Sequence, residues 1–420
     1  MAGYYYVRLN EGVHDDLYAK AIVLEKDGAK AGMVALDLVN IPRGIVDAAR
    51  EIITKDGSLR GANVMVSATH THTGPEMGGR LKGVDPQTEK LAREYLSSLP
   101  GLIAESIAKA DADLQPVRVR MALAHENSVS FIRRYYMKDG SVGWNPGKRN
   151  PNIVRPTGAI DPALPIVLFE TPSGEPLALY LNFACHLDTV GGLQFSADYP
   201  YTIAKEMADV LGPKVLTIFT IGTAGNINHI DVTSSVPQKG PAEAARIGTI
   251  LAGDVLKAMR RLSEVEPGPL RVSSEMVKLP LAPYNPADVS KAREVVAAYG
   301  KPNSRPFLEQ VHAFKVLELE ERRGMPIEVE VQAITMGDQL AWVGLPGEIF
   351  VEHGMAIKAA SPFPQTIIAE LANASIGYVP DRKAYPQGAY EVVSARVGPG
   401  SGEMMVESAT RLLIQARQAK

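Results

Sequence analysis

Apolar and β-branched residues concentrate at 17–25 and 31–38, on either side of Asp27-Gly28. That pattern predicts two antiparallel strands closed by a tight turn. Residues 45–54 then repeat apolar side chains at helical spacing and stop near Gly57, and an alternating run over 63–69 predicts a buried strand. Strand, helix, strand in this order points to the α/β class. A long helical segment covers 87–112, interrupted by Pro100-Gly101, and 117–124 alternates Val with Arg as a strand does. Residues 164–170 and 176–183 read as a hairpin around Ser173-Gly174, and 199–211 as a helix. A buried strand at 215–221 runs into a turn of small residues, followed by a helix over 241–262. Beyond Pro267-Gly268-Pro269 the pattern predicts a strand (270–277), two helices (286–299, 307–323) and a hairpin (328–336, 339–345). A helix opened by Pro346-Gly347-Glu348 (349–360), a strand (366–371) and a last helix (402–419) complete the chain. No repeat, low-complexity segment or composition break interrupts it. The expectation is one large α/β domain over 1–420, with mixed sheets flanked by helices.

Residues 127–162 break the pattern, being rich in Arg, Gly, Pro and Asn. A stretch this long without apolar periodicity is usually functional or disordered. Its Trp and Tyr content argues for order, so it reads as an ordered loop over a site.

Composition changes the picture mainly by exclusion. The 420 residues are 45% hydrophobic and 22% charged, with net charge −3, and no long basic run recommends nucleic acid as a partner. No apolar stretch reaches the ~18 residues needed to span a bilayer. The first residues show no basic region followed by an apolar core, so no signal peptide is expected; a periplasmic or secreted location stays open. Cys185 is the single cysteine, which excludes an internal disulfide and a cysteine-based zinc module. Any metal must be held by His, carboxylate or a rarer ligand.

The chemistry gathers where predicted strands stop. Asn63-Val-Met-Val-Ser-Ala-Thr-His-Thr-His-Thr-Gly-Pro-Glu76 carries His70 and His72 two residues apart at a strand end. In an extended chain such residues face one side. The pair alone fits a metal ion, a proton-transfer pair, or two histidines held by ordinary hydrogen bonds. His186, the turn from Asn226 to Asp231, and Glu348 occupy the same kind of position after other strands, at the C-terminal ends where α/β folds place their ligands. A catalytic zinc takes about three N/O protein ligands and leaves a position open, and two histidines with a glutamate meet that need.

The order of these segments carries a resemblance. Ser67-Ala-Thr-His-Thr-His-Thr-Gly-Pro75, the segment 130–133 ending in Arg133, the Asp161-Pro162 turn before an apolar strand, Asn182-Phe-Ala-Cys-His186, the turn over 219–228, Pro346-Gly-Glu348, and the tyrosines Tyr378, Tyr385 and Tyr390 recur in sequence. Together they resemble the neutral/alkaline ceramidase family of zinc-dependent amidases over nearly the whole chain. The resemblance implies zinc held by His70, His186, Glu348 and Tyr378. It implies that His72 handles protons beside the metal, and that Arg133 and Tyr390 donate to the substrate carbonyl and developing oxyanion. Asn228, Arg134 and His229 are the expected substrate contacts. Manganese or iron are the other metals that such ligands suit.

The chain also departs from the family. Gly225-Asn226-Ile227-Asn228 stands where the family has Gly-Asp-x-Ser, and Asn228 cannot act as a nucleophile. Ser375 replaces the first tyrosine of the tyrosine-rich segment, and the sequence stops where the family carries a C-terminal β-sandwich domain. The expectation is a catalytic-domain-like hydrolase of an amide-type bond whose substrate is not ceramide itself but another small molecule, lipid or glycoconjugate. An esterase, lactonase or glycoside-cleaving enzyme with the same site, and a catalytically silent metal-stabilised binding protein, are the competing readings. A homo-oligomer stays open.

Overall fold

Alternation along the strands builds the fold. In the strand Ala29–Leu36, Met33 and Ala35 face one core while Val34 and Leu36 face another. Val167 and Phe169 alternate in the same way with Ile166 and Leu168, and Leu340 and Trp342 with Ala341 and Val343. Strands buried on both faces read as continuous apolar runs, which is why they stand out in the sequence. The computed structural model describes residues 1–57, 59–78, 84–301 and 305–419.

Three sheets share the inner core. The first orders Ala19–Lys26, Ala29–Leu36 and Val64–Ala68. The second orders Leu216–Ile221, Pro176–Phe183, Ala163–Glu170, Arg118–His125 and Ser263–Glu264, and the third orders Leu270–Leu279, Ile327–Met336, Leu340–Gly344 and Gln365–Ala369. Ile22 and Met33 of the first, Phe169, Tyr180 and Ile218 of the second, and Trp342 and Ile367 of the third meet in one apolar cluster. Helices cover the outer faces: Arg43–Asp56, Pro86–Ala112, Tyr199–Leu211 and Pro241–Ala258 on the first two sheets, Val351–Ala360 and Ser401–Gln418 on the third. This is the α/β architecture with mixed sheets that the pattern predicts.

Each sheet contains one parallel pair: Ala29–Leu36 with Val64–Ala68, Pro176–Phe183 with Leu216–Ile221, and Leu340–Gly344 with Gln365–Ala369. Their C-terminal ends are stitched together. Asn373 accepts from the Val66 amide at 3.0 Å and donates its own amide to the Val66 carbonyl at 2.7 Å. Asn182 Nδ2 donates to the carbonyls of Thr220 (3.0 Å) and Ile368 (2.9 Å).

Three expectations need correction. The helix Pro86–Ala112 runs through Pro100 without a break. Its buried Leu99, Ile103, Ala104 and Ile107 outweigh the roughly 3 kcal/mol that an interior proline costs. Residues 127–162 are ordered, but they hold a small sheet, Val142–Trp144, Arg134–Met137 and Ile153–Pro156, whose short strands the Arg and Gly content conceals. Glu348 does not open a helix: Glu348–Ile349 pairs in parallel with Tyr378–Val379, and the helix begins at Val351.

Candidate functional site

The strand Val64–Ala68 stops because its chain turns away at His70, whose φ is +78°. The amides of Thr69 and His70 donate to Leu36 and Leu38 at 2.8 and 2.9 Å, and His72 N donates to Leu187 O at 3.0 Å. His70 and His72 therefore meet through a left-handed turn rather than through strand alternation. The expected convergence holds, for a different reason. A non-glycine residue at positive φ is strained and persists only where its surroundings hold it.

Three imidazoles converge. His70 Nε2 lies 3.1 Å from His186 Nε2 and 3.2 Å from His72 Nε2, and His70, His72 and His186 form a group able to hold a metal ion. His70 Nδ1 donates to the Val39 carbonyl at 2.7 Å, and His186 Nδ1 to the Ala224 carbonyl at 2.9 Å. Each bond fixes the proton on Nδ1 and leaves the lone pair on Nε2, the arrangement of a metal-ligating histidine. Glu348 Oε2 sits 3.4 Å from His70 Nε2 and 3.5 Å from His186 Nε2, buried and without a hydrogen bond. Two lone pairs and a carboxylate oxygen repel one another at these distances; Arg133 Nη1, 3.2 Å from His186 Nε2, offsets part of that repulsion, and a cation between the three atoms would offset the rest. The donors thus fit a divalent ion, and zinc takes N and O ligands of this kind.

Charge follows the same logic. Burial, with the Arg133 guanidinium second, holds His186 well below the ordinary histidine range, and burial pushes His72 down to about 4. Both rings are neutral, as ligation or base catalysis requires.

Pairing with Glu348 brings Tyr378 into the site. Its buried ring lies 5.3 Å beneath the Arg133 guanidinium and meets Tyr390 edge-on with centroids 5.2 Å apart, and burial raises its pKa. Arg133 Nη1 reaches His186 Nε2 at 3.2 Å, and Nη2 donates to Gly225 O at 2.7 Å. Gly225 has no room for a side chain, since a Cβ would lie 2.5 Å from the Glu348 carbonyl oxygen. Arg134 points elsewhere. Its guanidinium is 1% exposed, bonded to Glu391 at 2.7 Å and to the Gly388 carbonyl at 3.0 Å, so Arg133 is the arginine beside the histidines. Asn228 is buried and donates to Asn145 Oδ1 at 2.9 Å. His229 donates to the Gln238 carbonyl at 2.7 Å from a buried position.

Sequence reasoning missed several residues here. Glu391 is fully buried and bridges Arg133 Nε (2.9 Å) and Arg134 Nη1 (2.7 Å). Glu370, also fully buried, accepts from Ile349 N at 2.6 Å below Glu348, and burial raises its pKa. Trp144 and Phe307 wall the site against Tyr390, with ring centroids 4.6 and 5.1 Å from it. Trp144 and Asn145 come from the 127–162 region expected to cover a site. Nothing in the local sequence of Glu391 or Glu370 marks them among 47 acidic residues.

No protein-family model matches the chain, and no curated protein matches it. Solved structures do. A crystal structure of neutral ceramidase from Pseudomonas aeruginosa superposes with a TM-score of 0.72 at 21% identity, over 99% of this chain and 72% of that one. A ceramidase complexed with C2 gives a TM-score of 0.74 at 20% identity, over 99% and 73%. The chain has the fold of the neutral ceramidases.

Proposed function

We propose that the protein is a zinc-dependent hydrolase of an amide-type bond in a small-molecule or lipid substrate other than ceramide. The observation that carries this reading is the convergence of two carbonyl-fixed imidazole Nε2 lone pairs with the unbonded Glu348 Oε2, at 3.1 to 3.5 Å from one another. The ceramidase fold, at identities of 20 and 21%, supports the same chemistry. His70, His186, Glu348 and Tyr378 are the ligands.

A divalent ion held there supplies a Lewis acid that makes water nucleophilic near neutral pH and polarises a carbonyl. The side chains do the rest. His72, neutral and beside the cluster, accepts the proton of the attacking water. Arg133 and Tyr390 donate toward the oxygen that becomes negative as the carbonyl is attacked, in a site closed by Trp144 and Phe307, where such donors act strongly. His72 then returns the proton to the leaving nitrogen. Asn228, tied to Asn145, gives the pocket a polar amide where the ceramidase motif has a serine, which is the reason to look beyond ceramide.

The test is elemental analysis of the purified protein with a panel of amide, ester and glycoside substrates. Wild type binds about one zinc and cleaves amides fastest; His70→Ala and Glu348→Ala lose metal and turnover together. Full activity in metal-free His70→Ala protein would sink the mechanism. Bound zinc with no turnover on any bond type would leave a binding protein.

A further inference from the structure

The His72 ring is gripped from the side opposite the other two histidines. Gly3 packs against it so closely that a Cβ there would lie 2.7 Å from the His72 Cβ. Tyr4 sets its ring edge-on to the imidazole with centroids 5.6 Å apart, and Arg8 donates to the His72 carbonyl at 2.5 Å. The Tyr4 hydroxyl donates to Asp188 Oδ1, and that same oxygen lies 3.7 Å from His72 Nδ1. His72 Nδ1 is buried with no hydrogen-bond partner among the described residues, so the Asp188 carboxylate is the acceptor it faces.

An ionised carboxylate can only accept. A bare Nδ1 lone pair facing it would be repelled, whereas an Nδ1–H is attracted. Placing the proton on Nδ1 puts the lone pair on Nε2, 3.2 Å from His70 Nε2, where a base must carry it. Among the described residues no backbone amide of its loop donates to Asp188, though Lys239 and His229 also lie near enough to act on its charge. The amides of Thr189 and Val190 are taken by Asp198 Oδ2 at 2.9 and 2.8 Å, so Asp198 holds that turn.

We propose that Asp188, held by the Tyr4 hydroxyl, is a positioning residue that keeps His72 in the Nδ1–H form with its Nε2 lone pair facing the cluster. The kinetic consequence rests on the hydrolase reading; the protonation form does not.

The experiment uses zinc-loaded, ¹⁵N-histidine-labelled protein. Two-bond ¹H–¹⁵N correlation spectra report which ring nitrogen carries the proton, and the His72 signals are assigned by their absence in His72→Gln. Wild type should show His72 protonated on Nδ1. Asp188→Asn should shift His72 toward the Nε2–H form and lower kcat by roughly 10²-fold or more, as loss of an orienting carboxylate does elsewhere, with KM and zinc content unchanged. Tyr4→Phe should keep the Nδ1–H form and lower kcat less. The proposal is overturned if wild-type His72 carries its proton on Nε2, or if Asp188→Asn leaves tautomer and kcat unchanged. Loss of zinc from Asp188→Asn overturns it too, because Asp188 would then act on the His186 turn. Should wild type hydrolyse nothing, the tautomer alone decides this proposal, and only the hydrolase reading falls.

Discussion

Glu391 offers a sharp test of how the site is held. Its carboxylate is fully buried and divides its oxygens between Arg133 and Arg134, at 2.9 and 2.7 Å. Glu391→Gln keeps the shape and removes the charge, leaving two guanidiniums in the interior with one neutral amide. Breaking a buried ion pair by removing one partner costs about 3–5 kcal/mol. Here the arginines keep other acceptors: Gly225 O for Arg133 at 2.7 Å, and Gly388 O at 3.0 Å and Gln387 Oε1 at 3.3 Å for Arg134. Those bonds and the surviving amide oxygen place the expected loss at the low end, about 3 kcal/mol. Urea unfolding of the zinc-loaded protein measures it as a lower midpoint at unchanged slope. Because Arg133 also touches His186, at 3.2 Å, kcat/KM should fall with stability. A variant within about 1 kcal/mol of wild type, the range of an exposed ion pair, would refute the view that this carboxylate anchors the arginine side of the site.

Two further outcomes follow from buried charge. Burial, as the largest cause, lowers the pKa values of His72 (to about 4), His186, His229 and His353. Between the ordinary value near 6.5 and these lowered values the unfolded chain binds protons that the folded one does not. The histidine contribution is therefore complete above about pH 6.5 and is lost as pH falls below it, roughly 2 kcal/mol for His72 alone by pH 5, while Asp198, whose pKa burial raises to about 6, works in the opposite sense over the same range. Urea unfolding of wild type and His72→Gln at pH 7 and pH 5 isolates the term: wild type should lose more stability on acidification than His72→Gln, and an equal loss in both would contradict it. Lys315 is 8% exposed, with no hydrogen bond or ion pair among the described residues; burial, then the nearby Arg396, lowers its pKa to about 8. Lys315→Met should stabilise the protein at pH 7 by about 1–3 kcal/mol, because it removes a desolvated charge and keeps the apolar stem. Destabilisation in thermal melts would mean that the ammonium holds a partner worth more than its burial costs.

How much was legible depended on whether a feature was local. The parallel strands were readable because burial on both faces leaves continuous apolar runs, as at Leu216–Ile221 and Gln365–Ala369. Pro100 misled because local propensity was set against tertiary packing of Leu99, Ile103 and Ile107, which the sequence does not weigh. Tyr378 lies beside Glu348 through a two-residue parallel bridge across 30 positions, and no spacing rule spans that distance; only the family resemblance pointed to it. Arg134 and Arg133 are adjacent, yet one turns to Glu391 and Gly388 and the other to His186. Single-residue register at a strand end decides that, and local sequence does not resolve it.

The same contrast explains why the site lies where it does. Three sheets sharing one inner core bring the C-terminal ends of their parallel strands to the same edge. Those ends present His70 and His72, His186, and Glu348, each just beyond a strand whose last five residues are buried. Positive φ at His70, Leu371 and Asn373 marks the places where the chain must leave the sheet abruptly to aim a side chain or bridge to a neighbour. Asn373 joins the first sheet to the third through Val66 and Gln332 Oε1, the latter at 2.8 Å. Strain of this kind persists only when the surrounding structure over-determines it. The apolar pattern written across 420 residues therefore does more than form a core: it fixes the strand ends closely enough for three imidazoles and a carboxylate to meet.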